Sequence, residues 1–200
     1  MKKKIFIGIL STTLLFANSF TFNVFAADKT EQEIVMKLNE DTHQLVIETN
    51  TDEELDAIFQ KIEENNEKVD KLWETALKER SCSNNNENQI QSKASYQDYH
   101  ESANVLMIGK FVGLHGLKAK TTTENNQKRF VSYDRVYVVS DTHELLEEPD
   151  NNVQALDSYR TYSIKSNIYV TGKSRSGLER ASFIKLYTEF YADGGAKNFN

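Results

Sequence analysis

The segment that leaves this chain least choice is Thr51 to Arg80. Apolar residues recur there at Leu55, Ile58, Phe59, Ile62, Val69, Leu72, Trp73, Ala76 and Leu77, the spacing of one face of an α-helix. Thr51-Asp52-Glu53-Glu54 opens it as a capping box, in which the threonine hydroxyl takes an orphan amide and the glutamate returns a bond to the cap. Asp52, Glu53, Glu54 and Asp56 sit at the positive end of the helix dipole, Lys78 and Arg80 at the negative end. Glu64 and Lys68, Glu67 and Lys71, and Glu74 and Lys78 stand in the favourable order four residues apart. The pattern predicts a helix of about eight turns. Its stripe breaks at Asn65-Asn66 and covers too few heptads for a coiled coil, so the expectation is a helix across this protein's own sheet, with pairing to a partner helix as the alternative.

Nearly everything else reads as strand, turn or linker. Residues 33–38 and 43–48 alternate around a turn-like Asn39-Glu40-Asp41-Thr42, a β-hairpin pattern. Ser81 to Ser102 is polar, rich in Ser, Asn and Gln, and reads as an exposed linker that carries Cys82. Beyond it come the apolar run Val105 to Val112, a polar stretch leading to an Asn125-Asn126 turn, and the β-type runs Arg129 to Val139, Tyr159 to Gly172 and Ser182 to Tyr191. With no second long helix among them, these point to an antiparallel arrangement. The expected fold class is α+β: an N-terminal β-hairpin and a long amphipathic helix, then an antiparallel β-sandwich or barrel-like domain. The expected organisation is a signal peptide over 1–26, hairpin plus helix over 27–80, a polar linker over 81–103 and a β domain over 104–200.

The start of the chain implies export. Met1-Lys2-Lys3-Lys4 is a basic region, an apolar stretch follows, and Val24-Phe25-Ala26 presents small residues at the positions a signal peptidase reads. Cleavage is expected between Ala26 and Ala27, giving a secreted protein with no stable membrane span. The one cysteine, Cys82, forbids an intramolecular disulfide. Together with the Lys, Asn and Ile bias, this suggests a bacterial exporter.

Charge narrows the partners. The formal net charge is -6, and removing Lys2, Lys3 and Lys4 makes it 21 - 30 = -9. Residues 27–104 carry 8 basic and 19 acidic side chains, residues 105–200 carry 13 and 11. So acidic a first half argues against nucleic acid as the main partner. No G-x-S-x-G marks a nucleophile, and His43, His100, His115 and His143 have no metal-ligand spacing. Gly172-Lys173-Ser174 lacks the upstream glycine of a phosphate loop, and Glu144, Glu147, Glu148 and Asp150 lack a calcium-loop pattern. No catalytic residue, metal or cofactor is therefore assigned. The positive signal is Lys173, Arg175, Arg180 and Lys185 around a turn between two strands, joined by Arg135 and Lys165 from neighbouring strands. Such a basic patch suits an anionic cell-surface polymer, an acidic lipid or an acidic protein partner; the competing reading pairs these cations with the acidic helix. The expected function is a secreted, non-enzymatic binding protein. A membrane-active toxin of the β-pore type and a secreted hydrolase with dispersed catalytic residues are the alternatives.

Overall fold

The computed structural model describes residues 35–38, 45–81, 95–108, 111–140 and 150–199. The leader with Ala26 and Ala27, the 39–44 connection, most of the expected linker with Cys82, and residues 141–149 of the acidic loop lie outside the described residues. Within them the chain is α+β, with one helix and nine strands in two sheets. In chain order these are β1 (Val35–Leu38), β2 (Leu45–Thr49), α1 (Asp52–Arg80), β3 (Gln97–Ile108), β4 (Phe111–Glu124), β5 (Gln127–Ser140), β6 (Asp150–Leu156), β7 (Thr161–Ser174), β8 (Glu179–Tyr191) and β9 (Ala196–Asn198). The larger sheet runs β1-β2-β7-β8-β9 with β6 also on β7, and the smaller runs β3-β4-β5.

Several sequence expectations change here. Among the described strands of 104–200 every pairing is antiparallel, as expected; β2, from the preceding region, joins β7 in parallel, Leu45 opposite Val170 through Thr49 opposite Ser174. Alternation marks a strand but not the direction of its neighbour. This pairing also puts residues from 27–80 and from 104–200 into one sheet and one core. The run Val105 to Val112 is not a single strand: Ile108 pairs with Phe111 and Leu106 with Gly113, so the chain reverses inside it. A continuous apolar run carries no period to show where it turns. β3 begins at Gln97, inside the stretch read as linker, because Tyr99 and Val105 are buried and Ala103 is partly so. β6 was not anticipated; within it only Leu156 is fully buried, with Val153 and Ala155 partly so. Asn125 and Asn126 do form the two-residue turn between β4 and β5, at φ 49° and 62°, where asparagine tolerates the left-handed region.

Register assigns the faces of the larger sheet. Tyr162, Ile164, Ser166, Ile168, Val170 and Gly172 of β7 lie opposite Phe190, Thr188, Leu186, Ile184, Ser182 and Arg180 of β8. Directly opposed side chains share a face and neighbours along a strand alternate. The smaller sheet covers one end of this face, where Leu117, Ala119, Phe130 and Val136 meet Tyr162, Ile164 and Phe190. The first half of α1 covers the other end, with Leu55, Ile58, Phe59 and Ile62 against Leu45, Ile47, Val170 and Ile184. A Cβ on Gly172 would stand 2.6 Å from both Leu55 and Phe59, so the close approach of helix to sheet requires glycine.

The second half of α1 lies on the opposite face. Val69, Trp73 and Ala76 pack with Leu156 and Tyr187, and Trp73 meets Tyr187 edge-on at 5.5 Å. The crossing point is Asn66, which donates to Phe183 O (2.7 Å) and accepts from Lys185 N (2.8 Å). Those backbone groups form the outer edge of β8. The break in the apolar stripe at Asn65-Asn66 is therefore where the helix rounds the sheet, and the amide side chain satisfies an edge that would otherwise be open. The capping box is present, Glu54 N donating to Thr51 Oγ1 and Thr51 N to Glu54 Oε2.

Candidate functional site

A groove opens where β2 and β7 end together. Val46, Glu48, Thr49 and Asn50 form one wall and Lys173, Ser174 and Arg175 the other. The parallel pairing builds it, with Glu48 beside Lys173 and Thr49 beside Ser174. The turn after β7 is tightly held. Ser174 N donates to Leu178 O (2.9 Å), Leu178 N to Ser174 Oγ (3.0 Å), and Gly177 N to Ser174 O (3.1 Å). Gly177 adopts φ 101°, which favours glycine. Arg175 N donates to Thr49 O (3.0 Å), which ties the turn across to β2. Ser174 Oγ donates to Asp52 Oδ1 at 2.5 Å, and Ser176 Oγ donates to the same oxygen. These hydroxyls hold the Asp52 carboxyl below its ordinary range, Ser174 first and then Ser176. The groove walls are thus fixed to the first turn of α1.

The five expected binding residues separate in space. Lys173 and Arg175 line the groove. Lys173 Nζ donates to Glu179 Oε1 at 2.8 Å, which raises the lysine and lowers the glutamate. That pair is exposed at both ends, so it is weak and an incoming anion can compete with it. Arg180 stands next along β8, opposite Gly172, and pairs with Asp56 of α1 at 2.8 Å. Lys185 is committed elsewhere: with Lys165 (2.9 Å) it grips Asp70, whose carboxyl is lowered by its hydrogen bonds to the two lysines against the opposing effect of burial. Lys165 also lies 5.7 Å from the centre of the Trp73 ring. Arg135 belongs to the smaller sheet, opposite Lys118. The acidic face of α1 therefore takes up Arg180, Lys185 and Lys165, and the cations that share a concave surface are Lys173 and Arg175. The wall from β2 had no signal in the sequence, because nothing there announces a parallel partner 125 positions away.

Two buried polar clusters have the parts of a catalytic site in another order. His115 is fully buried between the sheets, its Nε2 2.9 Å from Ser166 Oγ and its Nδ1 3.0 Å from Thr188 Oγ1. Ser166 Oγ donates to Asn151 Oδ1 (2.5 Å), so it accepts from His115 Nε2, and Nδ1 accepts from Thr188. The serine proton points away from the imidazole, the reverse of nucleophile activation. Burial alone pushes His115 down to about 3, so the ring is neutral. At the end of α1, Arg80 bonds the Asp157 carboxylate through Nε and Nη2 and reaches Glu189 Oε1 at 2.6 Å through Nη1. Tyr187 Oη (2.7 Å) and Tyr191 Oη (3.2 Å) also donate to Glu189. Among the described residues no three His, Cys, Asp or Glu side chains are grouped to hold a metal ion, and no helix is long and apolar enough to cross a membrane. Comparison with family models, curated proteins and solved structures finds no match to this chain.

Proposed function

We propose that this is an exported, non-enzymatic binding protein that engages an anionic group of a cell-surface polymer, lipid or protein at the groove between β2 and β7. The supporting observation is that Lys173 and Arg175 converge on one concave surface whose walls are pinned to each other and to α1. A pinned backbone loses little freedom on binding. Glu48 and Glu179 stand at the same surface, which suits a single anionic group better than a long polyanion. In this reading β1 and β2 form an N-terminal hairpin, and the two sheets form a sandwich-like shell that carries the groove at one end.

One observation favours the membrane-active reading as the second: the pairing of Leu106 to Ile108 with Phe111 to Gly113 puts an apolar sequence at the end of a hairpin. A single experiment tests both. The protein is sedimented with washed bacterial walls and with anionic or neutral liposomes, at low and high salt. The binding reading expects pelleting with walls or anionic lipid that falls as salt rises, and at least a tenfold loss of affinity in Lys173→Glu/Arg175→Glu. Salt-resistant pelleting with neutral lipid and release of entrapped dye would replace it with the membrane-active one.

A further inference from the structure

The turn between β6 and β7 holds three consecutive residues other than glycine in the left-handed region: Asp157, Ser158 and Tyr159 at φ 52°, 58° and 65°. Each costs about 1–2 kcal/mol, so the surroundings must enforce the shape. Four parts of the fold do so. From α1, Arg80 binds the Asp157 carboxylate and its carbonyl accepts from Asp157 N (3.2 Å). From β5, Phe130 N donates to Tyr159 O (2.7 Å). From β7, Thr161 Oγ1 donates to Asp157 Oδ2 (2.9 Å), and just beyond β8, Ala192 N donates to Arg160 O (2.8 Å). These anchors run through Asp157 and backbone atoms, so they position Tyr159 without using its ring, which is 38% exposed.

A second observation converges on the same place. Tyr133 of β5 lies opposite Ala119, and the register between β4 and β5 slips on either side of that pair, between Lys118 and Ala119 and between Lys120 and Thr121. Such bulges re-aim side chains. Tyr133 is 50% exposed, yet its ring stands edge-on to Tyr162 at 5.9 Å. Tyr162 is stacked on Phe130 at 4.3 Å, and Phe130 meets Tyr99 at 4.9 Å. The buried rings form a rigid base beneath the exposed one. Phe130, whose ring stacks on Tyr162, also donates its N–H to Tyr159 O at 2.7 Å, so the turn that carries Tyr159 sits against the same strand as the ring base. Arg160, whose Nε donates to Asp157 O (3.3 Å), presents its guanidinium at the same turn.

We propose that Tyr133 and Tyr159, supported by Tyr162 and flanked by Arg160, form a glycan-binding platform on which a pyranose ring stacks. A sugar ring has an apolar C–H face and a rim of hydroxyls; a tyrosine offers an apolar ring face and a hydroxyl that both donates and accepts. Two exposed phenols, Tyr133 set against Tyr162 and Tyr159 carried on a pinned turn, match that pattern at little entropic cost. A purely apolar ligand would bury the phenol hydroxyls and the Arg160 guanidinium without partners. The platform is separate from the groove, at the other end of β7, about 40 Å away along a strand of this length.

Affinity electrophoresis tests this, with the protein run through gels containing a soluble neutral β-glucan or solubilised glycan strands of bacterial cell wall. At least one glycan is expected to retard the wild type. Tyr133→Ala/Tyr159→Ala should weaken retardation at least tenfold with the melting temperature unchanged within a few degrees, while Tyr159→Phe retains it. Lys173→Glu/Arg175→Glu should also retain it, which separates this site from the groove. Migration indifferent to both glycans, or equal retardation of the folded double alanine variant, would overturn the platform. Capture of a proline-rich peptide by Tyr133 and Tyr159, with neither glycan bound, would overturn it in favour of peptide recognition.

Discussion

His115 shows what a single residue commits this fold to. It bridges the two sheets as a neutral ring, Ser166 on β7 and Thr188 on β8 each bonded to one nitrogen, with Phe190 edge-on at 5.9 Å. Its pKa is depressed from an unfolded value of about 6.5 to about 3 by burial. Above pH 6.5 both states are neutral and no pH dependence arises from it. As the pH falls below 6.5 the unfolded chain takes up a proton that the folded chain refuses, so stability is lost, at up to about 1.4 kcal/mol per pH unit, until roughly pH 3. Urea midpoints between pH 7 and pH 4.5 are expected to fall steeply in the wild type and to flatten in His115→Gln. The carboxylates of Asp70 and Asp157, held below the ordinary value of 3.8 by their basic partners, keep their contributions across that window and lose them only as the pH falls below 3.8. None of this is visible in the residue's sequence neighbourhood, Leu114-His115-Gly116, because a histidine becomes an inter-sheet link only when a second sheet supplies the hydroxyls.

At the scale of the element, α1 was legible almost to the residue: cap, stripe, charge order and the interruption at Asn65-Asn66 all stand in the sequence. The meaning of the interruption was not. A polar pair in an apolar stripe reads equally as a solvated turn of helix or as a contact with backbone elsewhere, and the β8 edge at Phe183 and Lys185 decides it. Asn66→Ala should cost about 2 kcal/mol, one net contribution for each of the two hydrogen bonds lost, measured as a shift of denaturant midpoint with unchanged slope. A loss no larger than that of an exposed helical substitution such as Lys61→Ala would show that the edge contact contributes nothing. The crossing also explains an exposed aromatic: Phe183 of β8, 52% exposed and edge-on to Tyr169 at 5.4 Å, lies on the face from which the first half of α1 is absent.

For the whole molecule, the tie between helix, turn and sheet is Arg80. Glu189 is 1% exposed and is satisfied by Arg80, Tyr187 and Tyr191 together; Arg80 also holds the left-handed turn through Asp157. Removing one partner of a buried ion pair strands the other, whereas removing both is far milder. Arg80→Met should therefore cost about 3–5 kcal/mol, and Glu189→Gln added to it should recover a substantial part of that loss. Equal stability of the single and double variants in thermal denaturation would remove the stranded carboxylate as the cause. Trp73, the one tryptophan, packs beside this network and reports its loss by fluorescence.

By itself the sequence determined the class of fold, the helix and its cap, the Asn125-Asn126 turn and the major later strands, because period, capping chemistry and turn chemistry act over a few residues. Which strand lies beside which was decided by the tertiary structure alone. The parallel seam of β2 on β7 depends on a partner 125 positions away, and the reversal inside Val105 to Val112, though its pairs are close in sequence, has no period to mark it. The candidate sites divide in the same way. Lys173 and Arg175 stood out as neighbours in sequence, but Glu48, Thr49 and Asn50 opposite them did not. The cations lost to the patch went to acidic helix residues that only the packing of α1 brings near, since a charge has no sequence signal for the opposite charge it will meet.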